Sequence, residues 1–276
     1  MNAGRTARER ARAELTEEIK ATARRQLTTV GAEALSLRAV SRELGMVSSA
    51  LYRYFPSRDD LLTALIIDAY NALGEAAEAA AAAASGAACV DEAAASGAAA
   101  TDGENASDAA EDVGGRRGGG AAGAPAGGSG GVGLVGEWLG IYRAVRAWAR
   151  AHPQEYALIY GSPIAGYQAP QDTVQPAVRV PLLLLGLLQR AQAAGRLSAP
   201  PDAPEPTGLL AEQTQVLVDL APGVPPAVLV RTMIVWTQLF GMISFELFGQ
   251  LVGSMDPADE FFDSAARQMA AFVGLR

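Results

Sequence analysis

One stretch governs what this chain is able to fold into. Residues 85–131 hold 15 Ala and 13 Gly among 47 positions, with no Leu, Ile, Met, Phe, Tyr or Trp. Such a segment gains too little from burial to offset the entropy of ordering its backbone. It reads as a disordered, mildly acidic linker or insertion. The core must then come from the residues on either side, and a chain of 276 residues still has enough of them for a sizeable one.

On both sides the apolar residues recur at helical spacing. Ile19, Ala23, Leu27 and Val30 predict a helix over 7–30, stopped by Gly31. Ser36 suits the N-cap of a short helix over 37–44, with Val40 and Leu44 on one face. Gly45 ends it, and a third helix carries Leu51 and Phe55 before Pro56 stops it. Ser57 then caps a fourth helix with a stripe of Leu61, Leu62, Leu65, Ile66 and Ala69. Beyond the linker, helices are predicted over 134–151, 153–160, 176–194 (kinked at Pro181), 208–220, 226–250 and 257–273. The last has Asp256 as its N-cap and Phe261, Ala265, Met269 and Phe272 in line. No alternating pattern marks a strand, so the expected fold class is all-α.

Composition excludes several functions. One Cys forms no internal disulfide, and one His beside it argues against a zinc site or a thiol–imidazole catalyst. There is no clustered carboxylate pair either, so no enzyme, metal or cofactor is expected. The Arg-rich N-terminus does not resemble a secretory signal. The longest uncharged apolar run, Thr232 to Phe245, is 14 residues and too short to span a bilayer. The expectation is a soluble, cytoplasmic protein without a membrane partner. The net charge of −8 is unevenly placed: residues 1–58 hold 11 Lys/Arg against 6 Asp/Glu. A basic head on an acidic body suits an anionic partner at one end.

Ser36 to Arg58, SLRAVSRELGMVSSALYRYFPSR, locates that partner. Two short helices joined by a Gly-containing turn read as a helix-turn-helix, whose second helix can enter a major groove; the pattern alone also fits an ordinary helical corner with a polar outer face. Val40, Leu44, Leu51 and Phe55 form its packed back. Arg38, Ser48, Ser49, Tyr52, Arg53 and Tyr54 form a hydrogen-bonding front. The order Gly45, Leu51-Tyr52-x-Tyr54-Phe55-x-Ser57-Arg58, Asp60-Leu61-Leu62 is similar to the signature of the TetR/AcrR family of bacterial transcriptional regulators. The resemblance covers about residues 14–74, with the helix-turn-helix over 37–56. It implies Arg38, Ser48, Ser49 and Arg53 as candidate base readers, and Tyr52, Tyr54 and Arg58 as phosphate-binding positioners. Val47 stands where that family usually caps the recognition helix with Ser or Thr, and Ser48 is the alternative cap. Arg5, Arg8, Arg10 and Arg12 form a basic arm that either follows DNA or is a solvated tail.

The C-terminal region, 132–274, resembles a TetR-like sensor and dimerisation domain of the Trp-His-Gly type. Trp148, His152, Pro153 and Gly161 carry the likeness. Candidate effector contacts are Trp138, Tyr142, His152, Tyr156, Tyr160, Met233, Trp236 and Phe240, although most must also be core. Residues 226–250 are apolar nearly all round and, with 257–273, form the expected homodimer surface. The glycines Gly131, Gly133 and Gly136 match a dinucleotide fingerprint but follow no strand, so they carry no weight. The expected function is a ligand-responsive repressor that binds a palindromic DNA operator as a homodimer and responds to a small-molecule effector. A DNA-binding architectural protein without an effector is the alternative.

Overall fold

The computed structural model describes residues 3–99 and 130–276, with side chains over 6–85 and 133–276. Eleven α-helices are found among the described residues, and their only β-pairing is an isolated bridge between Leu197 and Leu275. The fold is all-α. The first four helices are α1 (Ala3–Val30), α2 (Leu37–Glu43), α3 (Ser48–Leu51) and α4 (Arg58–Ala99). The rest are α5 (Gly130–Ala151), α6 (Pro153–Tyr160), α7 (Val174–Ala177), α8 (Arg179–Ala193), α9 (Gly208–Leu220), α10 (Pro226–Leu247) and α11 (Asp259–Phe272).

There are two hydrophobic cores, and α4 belongs to both. Its first turns send Leu61, Leu62 and Leu65 into a head core with Ile19, Ala23, Leu27, Val40, Leu51 and Phe55. Its later turns present Ala69, Leu73, Ala77 and Ala81, four residues apart, to a larger body core. The head therefore sits on the first half of a helix whose second half is embedded in the body.

The alanine run that follows corrects part of the linker reading. Residues 85–99 continue α4 and Gly130 and Gly131 open α5, while 100–129 lie outside the described residues. Alanine has the highest helix propensity and the smallest side chain that keeps it. That lets α4 lie close along α5: a Cβ placed on Gly140 would sit 3.7 Å from the Ala80 carbonyl. Ser85 Oγ also donates to Glu137 of α5 (3.3 Å). Gly133 and Gly136 lie inside α5, where no strand-to-helix turn exists.

Three boundaries differ from expectation. Pro181 does not kink a single helix. The chain breaks at Val178, and Pro181 falls in the first turn of α8, where its missing N–H leaves no helical bond unmade. The last helix starts at Asp259 with Ala258 as N-cap, so Asp256 caps nothing. Its core face is Phe262, Ala266 and Ala270, one residue on from the predicted line, while Phe261, Ala265, Met269 and Phe272 are half-buried beside it. Arg146 helps to set this rotation. It grips Glu246 of α10 through two bonds (2.7 and 2.8 Å) and Asp259 of α11 (2.9 Å).

α10 is longer than its uncharged stretch suggested, 22 residues, which by length and hydropathy suffices to cross a bilayer. Half of that window is buried within the body, and it carries Arg231, which donates to the Phe272 carbonyl (2.8 Å). Those contacts make it a core helix.

Candidate nucleic-acid interface

The helix-turn-helix is built around a reversal at Gly45, whose φ of +66° is the left-handed conformation that glycine adopts without strain. Met46 N–H reaches back to the Ser41 carbonyl (2.8 Å), closing the end of α2. Ser41 is fully buried between the helices, and its hydroxyl lies 3.1 Å from that of Ser48. Val47, not Ser48, is the N-cap of α3, in extended conformation with no side-chain cap bond. The Ser48 hydroxyl is thus turned toward α2 and pins the two helices together. It belongs to the inside of the motif, in contrast to its expected place on the front.

Arg38, Ser49, Tyr52 and Arg53 are exposed. Tyr52 is 42% exposed although it directly follows Leu51, which is wholly buried. This is the two-sided character that groove insertion requires. Tyr54 is half-buried against the head core, with the Arg12 guanidinium 5.5 Å above its ring. Arg58 serves the head itself. Its guanidinium donates to the carbonyls of Ala32 (2.8 Å), Glu33 (3.1 Å) and Leu35 (3.2 Å). Those bonds fix the α1–α2 turn and leave the side chain engaged inside the head instead of facing phosphate. Ser57 caps α4 as expected: its hydroxyl accepts from Asp60 N–H (3.1 Å) and donates to the Asp60 carboxylate (2.6 Å).

Arg42 was not singled out from the sequence. It is exposed one helical turn after Arg38, and that four-residue spacing was the signal for it. Nearby, Glu43 is held below the usual carboxylate range by hydrogen bonds from Arg25 and Gln26. It therefore stays ionised and its charge is paired with Arg25 of α1.

The body aromatics have a different role. Trp138 and Tyr142 are fully buried and stacked at 4.9 Å. Trp138 Nε1 donates to the Ala266 carbonyl (3.0 Å) and Tyr142 OH to the Val235 carbonyl (3.2 Å). Tyr156 OH donates to the Phe240 carbonyl and also meets Ser244 Oγ, each at 2.8 Å. Burial pushes the Tyr156 phenol up to about 12 and raises that of Tyr142 as well. These three staple α5 and α6 to α10 and α11, so they are core, not cavity wall. Tyr160 is half-buried and stacks on Phe240 at 4.0 Å. Trp236 is half-buried and Met233 lies exposed on α10.

His152 is exposed and stacks on Trp148, and its Nδ1–H donates to the Trp148 carbonyl (3.0 Å). Pro153 opens α6, and Gly161 closes it where a Cβ would fall 2.3 Å from the Ala157 carbonyl oxygen. The Trp-His-Pro and Gly positions are therefore the residues that make the α5–α6 corner.

Two clefts do lie between head and body. One, of about 470 Å³, runs between α4 and the 161–173 segment and is lined by Ile66, Tyr70, Ile164, Tyr167, Thr173 and Val174 among others. The second, of about 390 Å³, lies between the end of α1 and α6. Leu158, Ile164 and Tyr167 pack against the head core, and the Tyr167 and Thr63 hydroxyls meet at 2.9 Å. Arg24 of α1 pairs with Asp68 of α4 and reaches Glu155 of α6 (3.3 Å). The head is thus joined to the body by α4, by this strap and by an ion-pair cluster.

The comparisons agree with this architecture. Residues 19–65 match the bacterial regulatory proteins of the tetR family, and residues 138–269 match the tetracyclin repressor-like C-terminal domain. The latter description names no Trp-His-Gly type, so those residues stand here on their structural roles alone. The chain is 34% identical over 267 residues to an HTH-type transcriptional regulator of Mycobacterium tuberculosis (H37Rv), Rv1816, covering 95% of this chain and 94% of the relative. An HTH-type regulator of Mycobacterium bovis, Mb1846, matches to the same extent. Among solved structures, the regulatory protein SCO4313 is 30% identical with a TM-score of 0.61, over 95% of this chain and 98% of that one. A protein of unknown function from Rhodococcus sp. RHA1, 21% identical with a TM-score of 0.57 over 95% of each chain, shares the fold. With a two-sided helix-turn-helix on an all-helical body and relatives of this kind along nearly its whole length, the chain belongs to the TetR family and is a DNA-binding transcriptional regulator, not an enzyme.

Proposed function

We propose that this regulator is a cytoplasmic repressor that binds a palindromic operator as a homodimer and is released by a small uncharged effector. The observation that carries the dimer is an apolar surface that one subunit leaves uncovered. On α9, Leu209, Val216 and Leu220 are exposed, and so are Ile234 and Phe245 on α10 and Phe248 just past its end. Phe245 is 55% exposed and Leu209 67%. Large apolar residues left exposed on two helices that pack together mark an interaction surface. α11 has a polar outer face, Glu260, Ser264, Arg267 and Gln268. The proposed two-fold contact therefore uses α10 with α9, in place of α10 with α11.

Such a dimer presents two α3 segments to one side of a duplex, with half-sites about 34–36 Å apart. Arg38, Arg42, Ser49 and Arg53 read the groove and Tyr52 holds a phosphate. The cleft beside α4 is the favoured effector site, because no charged side chain lines it and its walls Ile164 and Tyr167 also pack on the head. An occupant that fits better in one head pose shifts the operator equilibrium by linkage.

Selection of bound duplexes from a random pool tests the core of this reading, since a dimer must yield a palindrome. Gly241 sits on the outer stripe of α10, where an added Cβ meets nothing within the subunit. Gly241→Arg should leave the monomer folded but bury an unpaired charge between subunits, costing on the order of several kcal/mol. Sedimentation should then show monomers with collapsed operator affinity, and a surviving dimer would place the interface elsewhere. If no uncharged apolar compound in a broad screen releases the operator, the architectural reading gains instead.

A further inference from the structure

We infer that the first three turns of α1 form a second DNA-binding element, an arginine face that grips backbone phosphates flanking the half-site read by α3. Residues 3–14 are helical from Ala3, yet every residue from Thr6 to Glu14 is exposed, and burial begins only at Leu15. These 12 residues extend about 18 Å past the packed part of the head at 1.5 Å per residue. They hold four arginines and two glutamates, and nothing apolar larger than alanine. A helix lying on a membrane needs an apolar face, and this one has none. The first turn has no acidic residue, and positive charge there opposes the helix macrodipole. Arg8 and Arg12, like charges one turn apart, also oppose helix stability, and a polyanion accounts for both.

Two further facts place the element. Arg8 and Arg12 are one turn apart and share a face. Arg12 sits 5.5 Å above the ring of Tyr54 and approaches the Arg53 carbonyl (3.5 Å), both in the segment that continues α3. The arginine face is thus continuous with the groove-reading surface at Arg12, and α1 reaches about 14 Å further to Ala3, about four base steps at 3.4 Å each. Duplex phosphates are the occupant with complementary charge in that position.

The experiment uses the full chain, the duplex recovered by selection, a copy with ten extra base pairs on each side, and random duplex with the same flanks. The Arg8→Ala, Arg12→Ala double variant should keep its melting temperature and lose about tenfold in affinity for the flanked operator and for random DNA alike. The slope of log affinity against log salt should flatten by about two per subunit, since each lost phosphate contact removes about 0.9. Arg8→Ala alone should give half of that change, and Arg12→Lys almost none. On a duplex trimmed to the half-sites the variants should match wild type. Unchanged slopes on the flanked duplex would overturn the proposal. So would a silent Arg8→Ala combined with Arg12→Lys as harmful as Arg12→Ala, because Arg12 would then act only by packing on Tyr54. A wild-type chain that binds no duplex would overturn the operator reading itself, which separates the two failures.

Discussion

Tyrosine has opposite uses in the two halves of this molecule. In the head, Tyr52 leaves its ring and hydroxyl at the surface beside the exposed Arg53. In the body, Tyr142 and Tyr156 are wholly buried, and their hydroxyls are closed by backbone carbonyls of α10. On its α3 side the head leaves Ser49, Tyr52 and Arg53 at the surface over a small apolar back that includes Leu51 and Phe55. The body turns its polar tips inward, where an unpaired hydroxyl is expensive and a paired one fixes the angle between helices. Residue type does not separate a binding residue from a staple. What separates them is whether the polar atom already has an acceptor within the fold.

Substitutions at matched positions should therefore diverge, most of all at the largest buried ring. Trp138→Ala removes a fully buried indole together with its bond to Ala266, and should cost about 3–5 kcal/mol of stability. Chemical denaturation reads this directly, and a loss below 1 kcal/mol would mean that the site is not packed as described. Arg38→Ala should leave stability alone while costing about 1–3 kcal/mol on the operator and relaxing sequence choice at one position. Equal losses on operator and random duplex would remove Arg38 from the base readers.

The tyrosine pair is the sharper comparison. Tyr156→Phe should lose about 1–2 kcal/mol of stability through two unmade bonds, with little direct effect on DNA. Tyr52→Phe should do the reverse, weakening operator and random duplex by about 1 kcal/mol each at an unchanged melting temperature. If both variants behaved alike, the contrast between the halves would fail.

The smallest effect concerns a charge. Arg179 reaches from α8 to bond Glu78 of α4 (2.7 and 2.9 Å), which holds the Glu78 carboxyl below its usual range. A depressed carboxylate contributes stability above its unfolded value near 4.5, and that contribution is lost as pH falls through the lower folded value. Glu78 is partly exposed, so solvent screening keeps the contribution under about 1 kcal/mol. Melting curves from pH 6 to 3 should show Glu78→Gln less stable than wild type at the upper end, with the two converging at the acid end.

The head was legible in the sequence because its determinants are local. Gly45, Leu51, Phe55 and Ser57 specify a turn, two inward positions and a cap within one short window, and each acts through neighbours close in the chain. The helix boundaries at Pro153, Tyr160, Gly208 and Leu220 were readable for the same reason, since caps and breakers need no distant partner. Tertiary structure alone decided the rest. Ser48 turned inward because the buried Ser41 lies seven residues away across a turn, and Arg58 was captured by carbonyls more than twenty residues earlier. The body aromatics became staples because acceptors on α10 and α11, some 84 to 128 residues downstream, reach them. Helical periodicity tells which side of a helix is apolar, but the partner that covers it is fixed by packing between elements far apart in sequence. So the alanine-rich turns of α4 around Ala80 lie along α5, where their smallness allows two backbones to approach.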